Sequence, residues 1–319
     1  MGKYAQLVVG PAGSGKTTYC RKMYEHLQSI KRKFVHMFNL DPAAEELGYE
    51  PSIDIRDLVM VDDVMEECSL GPNGALVEAV EYLIMSTDWL DEVLDDFSDD
   101  YLIIDCPGQV ELYTHIPVME KFCRILEQKG YRVVTVYLVD SSRAVARKLD
   151  FLASVLSVIS TMVALSTPHV TVLSKCDLLP ESMSTDDLDS FLFPDPSVLS
   201  AEAAMESPHL APLSSAVSDV VTEFSLVGLF PLNWDDVDSI NRVILSVDRC
   251  VDYGADEEMD AGFESLDRKE DMEADADFAG GSEWGGISWD GSLLDKGGDI
   301  TQSSDHFGME DEGSLDEMD

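Results

Sequence analysis

Eight consecutive residues, Gly10-Pro11-Ala12-Gly13-Ser14-Gly15-Lys16-Thr17, have the spacing G-x-x-x-x-G-K-[ST]. That spacing suits phosphate binding. Glycines let successive backbone N–H groups curl around the α and β phosphates of a nucleotide, Lys16 reaches the β and γ phosphates, and the Thr17 hydroxyl ligates Mg2+. Thr18 comes next, in the first turn of the helix that the pattern places over 16–29. An apolar run over 4–9 precedes the loop and reads as a strand. A loop between such a strand and such a helix faces the positive end of the helix dipole. The context points to a nucleoside triphosphate site, where a bare glycine-rich turn would leave Lys16 merely solvated.

Phosphoryl chemistry also asks for an acid at the end of a second strand. Asp105 closes the run "YLIID" and would hold Mg2+ directly or through water. After it, Pro107-Gly108 turns the chain and presents Gln109, whose amide donates and accepts and so suits orienting an attacking water. Glu111 is a second candidate for positioning or deprotonating that water. Asp41 closes "FVHMFNL", and Pro42 stops that strand and frees the carboxylate for Mg2+ or its water network. Base choice rests on Ser174-Lys175-Cys176-Asp177. The Asp177 carboxylate can accept both N1–H and the 2-amino group of guanine, a pair of donors that adenine lacks. The stem of Lys175 would lie along the purine. Ser174 stands where asparagine is commonest, keeping a hydroxyl at shorter reach. The run 228–232 offers a backbone N–H to the base carbonyl.

The elements that must position these groups alternate short apolar runs with longer helical patterns, which indicates an α/β protein with a parallel sheet flanked by helices. Strands are expected over 4–9, 34–40, 101–104, 133–139 and 170–173, and helices over 16–29, 74–86, 117–128, 144–165, 211–224 and 237–251. The stretch 180–212, rich in Ser, Asp and Pro, allows at most short helices. The six cysteines show no CxxC pair, which suits reduced thiols in the cytosol or nucleus. No run of about 18 apolar residues occurs, so no membrane span is expected.

Net charge is −42, with 21 basic against 63 acidic residues, a balance that repels phosphate backbones and argues against direct nucleic-acid binding. The acids concentrate at one end: residues 251–319 hold 23 acids against Arg268, Lys269 and Lys296. With few apolar residues to offset ordering entropy, 254–319 reads as a disordered acidic tail behind a nucleotide-binding domain over 1–253. Trp284 and Trp289 stand among its acids and glycines. They are either apolar anchors for a basic, grooved partner or passengers in a solvating tail.

One tetrad remains, Gly71-Pro72-Asn73-Gly74. It is turn chemistry, and the apolar helical pattern after it (Leu76, Val77, Val80, Leu83, Ile84) puts Asn73 at a helix N-terminus, a place for anions. By themselves these residues allow either a helix-starting turn or a phosphate contact. Taken in order, "GPAGSGKTT", "NLDPAAE", "GPNG", "DCPGQVELY" and "SKCDLL" resemble the GPN-loop GTPases. The segments "YAQLVVGPAGSGKTTYC" and "DIRDLVMVDDVMEE" look most like the third of their eukaryotic paralogue types.

The resemblance covers about residues 3–253 and carries further implications. It implies a P-loop fold that dimerises two-fold across the nucleotide face. Gly71, Pro72 and Asn73 of one subunit would then enter the other's site, with the Asn73 amide near the γ phosphate. It implies GTP hydrolysis to GDP and phosphate with Mg2+. It also implies heterodimers with the first paralogue type, or homodimers, that serve RNA polymerase II assembly and nuclear import from the cytoplasm. Two rivals stay open on the residues alone. One is a P-loop kinase passing a phosphoryl group to a small molecule or nucleic acid end, although no segment concentrates the arginines such enzymes use. The other is a nucleotide-stabilised scaffold with negligible turnover.

Overall fold

The computed structural model describes residues 2–30, 32, 34–95, 97, 101–179, 185–192, 196–224 and 228–253. The acidic segment 254–319, with Trp284 and Trp289, lies outside the described residues. Elements follow in the order β1 (Lys3–Val9), α1 (Lys16–Ser29), β2 (Val35–Asn39), β3 (Ile53–Asp54), α2 (Val61–Cys68), α3 (Pro72–Met85), α4 (Thr87–Asp95), β4 (Tyr101–Asp105), α5 (Glu111–Thr114) and α6 (Val118–Gln128). Then come β5 (Tyr131–Asp140), α7 (Ser141–Ala144), α8 (Lys148–Leu165), β6 (His169–Ser174), α9 (Thr185–Leu192), α10 (Pro196–Glu206), α11 (Ala211–Phe224), β7 (Leu229–Pro231) and α12 (Val237–Cys250).

The strands form one sheet of order β3-β2-β4-β1-β5-β6-β7, parallel at every pairing. Alternation along each strand feeds two cores. In β1, Ala5, Leu7 and Val9 face one layer and Tyr4 and Val8 the other. The first layer is closed by apolar residues of α3, α4, α6 and α8, such as Leu76, Val80, Leu90, Phe122, Phe151 and Val155. The second is closed by α1 and α12. Tyr19, Cys20, Met23 and Leu27 bury one stripe of α1, and Ile240, Val243, Ile244 and Val247 recur at i, i+3, i+4 and i+7 along α12. Burial on both faces explains why β4 and β5 read as continuous apolar runs rather than alternating ones.

Chain connections leave β1 toward β2 on one side, and β5 pairs on the other. The carboxyl end of β1 is therefore a switch point, where open α/β sheets bind ligands. The phosphate loop starts there.

Helices α2 and α4 were not expected from the sequence, and four further differences stand out. The helix expected over 144–165 begins later, at Lys148 as α8, and a separate short helix α7 ends at Ala144. Asp140 caps α7 by accepting the Ser142 N–H at 3.0 Å, and the Glu206 carboxylate takes the Lys148 N–H at 2.9 Å, so two helix starts are satisfied where one was expected. The helix expected from 74 begins at Pro72, since proline at the first position lacks only a donor that has no partner there. Strands β3 and β7 are two and three residues long, too short to show a period of two, and Pro231 is tolerated because β7 is an edge. Helix α8, eighteen residues with mean hydropathy 1.7, is long and apolar enough by length and composition to cross a membrane, against the expectation of no such run. In the structure Phe151, Leu152, Val155, Val158, Thr161 and Leu165 of this helix are buried inside the protein.

Candidate nucleotide site

The phosphate loop is shaped by close approach. Gly10 has φ +145°, and a Cβ there would lie 2.7 Å from Leu138 O, inside the backbone of β5. Only glycine fits. The Ser14 N–H donates to Pro11 O at 3.1 Å, closing the turn, and Tyr19 N–H to Gly15 O at 2.8 Å opens α1. Pro11 and Ser14 are at least half-buried, whereas Ala12, Gly13 and Thr18 face solvent. Lys16 is 8 % exposed and donates through Nζ to Gly10 O at 3.1 Å and Pro11 O at 3.2 Å. Burial lowers its pKa, opposed by the fields of Asp105, Cys106 and Asp41.

Both expected acids are brought to Lys16. Asp105, at the carboxyl end of β4, is 2 % exposed, and burial raises its pKa against hydrogen bonds from Thr17 and Tyr49 and the Lys16 charge. Asp41 is raised likewise by burial, against the Ala43 N–H at 3.0 Å and the same lysine. The buried amide of Asn39 fixes where Asp41 leaves the strand. It accepts the Asp41 N–H at 3.1 Å and donates to Asp41 O at 3.2 Å and to Asp54 Oδ1 at 2.8 Å. Thr17, Asp41 and Asp105 thus converge on one patch of oxygen donors beside the lysine.

The turn after Asp105 packs directly on the phosphate loop. A Cβ on Gly108 would lie 3.0 Å from Ala12 Cα and 3.3 Å from Lys16 Nζ, so glycine is needed for contact rather than for backbone angle. Gln109 is thereby delivered to the mouth of the loop, where its Nε2 donates to Asn73 Oδ1 at 2.6 Å. Asn73 sits in the first turn of α3 behind Gly71 and Pro72, all three exposed. Glu111 is exposed at the start of α5. Within the single chain, then, the GPN turn reaches the rim of its own site through Gln109.

At the base end the expected element follows β6. The Ser174 hydroxyl is buried between Ser14 O at 2.7 Å and Val139 O at 3.1 Å. It ties the phosphate loop to β5 and β6. Lys175 has φ +61° and lays Cε 3.9 Å from where a Cβ on Gly15 would stand, while its Nζ pairs with Asp140 Oδ2 at 2.6 Å. Burial would raise the Asp140 pKa, but bonds from Lys175 and Ser142 hold it below the usual carboxylate range. Asp177 is exposed beside them. Within the run 228–232, Leu229–Pro231 form β7, and the Leu232 N–H donates to Leu173 O at 2.9 Å, so that one N–H is taken by the sheet.

Sequence reasoning passed over Asp140 and Tyr49. Asp140 ends an apolar strand as Asp41 and Asp105 do, and the same signal points to it. Tyr49 is a lone aromatic in an irregular stretch, and nothing local marks it.

Fold and site together define a P-loop nucleotide-binding protein of the parallel α/β class. A family described as "conserved hypothetical ATP binding protein" matches residues 8–253. GPN-loop GTPase 3 of Mycosarcoma maydis is 44 % identical over 81 % of this chain and 95 % of its own length. That of Dictyostelium discoideum is 46 % identical over 80 % and 90 %. A GTPase of Pyrococcus abyssi, solved in apo form, superposes with a TM-score of 0.62 at 26 % identity, covering 77 % of this chain and 97 % of its own. The chain belongs to the GPN-loop GTPase family.

Proposed function

We propose that this chain hydrolyses GTP to GDP and phosphate with Mg2+, and that turnover gates the assembly and nuclear import of RNA polymerase II. The observation that carries the hydrolytic reading is the convergence of Lys16, Thr17, Asp105 and Gln109 at the end of β1, with the Lys175–Asp177 element on the same sheet edge. A glutamine at the mouth and a sequence in which no segment concentrates arginine favour water as the acceptor over a second substrate. Guanine is favoured over the adenine nucleotide of the family description because Asp177 stands exposed with acceptor oxygens beside Lys175.

Among the described residues no group of three or more His, Cys, Asp and Glu forms a metal cage. Mg2+ does not need one, since it keeps waters and takes one or two carboxylates plus substrate phosphates. A buried carboxylate and a partly exposed one opposed by one lysine, beside a hydroxyl, are the hard-oxygen donor set it prefers, so Thr17 and Asp105, with Asp41 near, fit the ion. When bound, Mg2+ neutralises charge on the β and γ oxygens. The chain's own part is to cradle the phosphates through its loop N–H groups, hold them with Lys16, and orient water through Gln109, aided by Glu111.

The polymerase role, the first-type partner and a cytoplasmic protein that shuttles to the nucleus rest on family likeness, and net charge −42 suits a protein partner better than nucleic acid. Phosphate release from GTP and ATP by the purified chain, alone and with a first-type partner, tests the reaction; equal use of ATP would overturn it. Capture of polymerase subunits with GTP and not GDP tests the gate.

The arrangement across subunits has its own test. In a dimer of Asn73→Ala with Gln109→Leu, a trans-acting Asn73 leaves one complete site, and activity returns on mixing. A cis-acting one leaves both sites deficient.

A further inference from the structure

The stretch between β2 and β3 crosses the carboxyl edge of the sheet as a clamped strap. It starts at Asp41, held by Asn39, and Arg56 anchors it from the far side by donating to Ala44 O at 2.9 Å while its guanidinium grips Asp54 at 2.6 Å. Farther along, the Ser52 N–H donates to Met37 O at 2.8 Å. Leu47 is buried, and Gly48 turns the chain at φ +69° against the Arg21 side chain of α1. The next residue is Tyr49. Its ring packs on the core beneath the sheet shared with Tyr19, Cys20 and Met23, and its hydroxyl donates to Asp105 Oδ2 at 3.1 Å.

We propose that Tyr49 is a positioning residue for Asp105: the phenol fixes the carboxylate by one oxygen, leaves the other to Mg2+ or its water, and so sets the Mg2+ affinity of the nucleotide complex. The inference rests on Asp105 as the metal's acid. The reason is geometric. A carboxylate at the end of a strand rotates about its last bond, and hydrogen bonds from Thr17 and Tyr49 leave it one orientation. Partners that orient a metal's ligands in this way are worth about 10- to 100-fold in metal affinity. The strap thus carries both Asp41 and the phenol that bonds Asp105.

The test uses the full chain with N-methylanthraniloyl-GDP and MgCl2. Release of the fluorescent nucleotide is followed as Mg2+ is raised, and again in EDTA. Tyr49→Phe keeps the ring and loses the hydroxyl. It is expected to raise the half-effective Mg2+ concentration about 10- to 100-fold while leaving release in EDTA unchanged. In an Asp105→Asn background the same change should have no further effect, because the group it orients is gone. An unchanged Mg2+ midpoint for Tyr49→Phe would overturn the role. So would an equal loss of affinity in EDTA, which would make the strap a wall of the cradle and no more. If release from the unaltered chain ignores Mg2+, the metal reading of Asp105 itself falls, and the two failures are told apart by that control.

Discussion

Lys16 and Asp105 lie in the floor of the site at 8 % and 2 % exposure, whereas Asn73, Glu111 and Asp177 stand in solvent around its rim. The floor is built from the ends of β1 and β4 and the start of α1, each locked by the two cores, and the charges of Lys16, Asp105 and Asp41 act on one another there. The rim is carried on turns and first helical residues, and Asn73 has its contact with Gln109. The buried cation and anion of Lys16 and Asp105 keep their geometry without ligand because moving either would strand the other in a low-dielectric interior. An exposed amide is cheap to move. The floor therefore suits binding, and the rim suits steps that occur only when something else arrives.

Substitutions can break that division. The largest effect is expected on the rim: Gln109→Leu should cut GTP hydrolysis by roughly 10²- to 10⁴-fold, the usual scale for a group acting on the transferred proton or water. GTP affinity should be kept, as a filter-binding assay would show. A parallel loss of binding would make Gln109 part of the floor. Next comes Lys16→Ala. Charged hydrogen bonds are worth about 1.5–3 kcal/mol each, so losing the lysine should weaken nucleotide binding about 100-fold or more by calorimetry. Retained affinity would mean the backbone alone holds the phosphates.

Asp177→Asn comes third, at about 1.5 kcal/mol or roughly tenfold, because its site is open to water. GTP should weaken while xanthosine triphosphate strengthens, read by competition. No change in preference would remove Asp177 from base reading.

The smallest effect concerns stability. Burial raises the Asp105 pKa in the folded state, so the cost of its buried charge is fully present above that pKa and is relieved as pH falls through it toward the unfolded-state value. Asp105→Asn removes the buried charge. It should stabilise the nucleotide-free protein at pH 7 by about 1 kcal/mol in denaturant melts, and the advantage should shrink on acidification. A destabilised Asn variant would show that the Lys16 and Tyr49 contacts outweigh burial.

The order of these groups along the chain was legible before any fold. Gly10 to Thr17 between an apolar strand and a helical stripe, Asp41 and Asp105 closing apolar runs, and the tetrad before Leu76 all carry local signals, because strand ends, turns and helix starts are set by a few neighbouring residues. The parallel sheet was legible for the same reason. What no local signal carried was decided by tertiary packing. The Ser174 hydroxyl turns inward because the Ser14 carbonyl, 160 residues away in the chain, is the buried partner within its reach. Lys175 meets Asp140 only because β5 and β6 are paired, and β3 and β7 exist only as additions to edges already formed. The contacts of Tyr49 with Asp105 and of Gln109 with Asn73 join segments 56 and 36 residues apart, and only the closed fold brings them within hydrogen-bond distance.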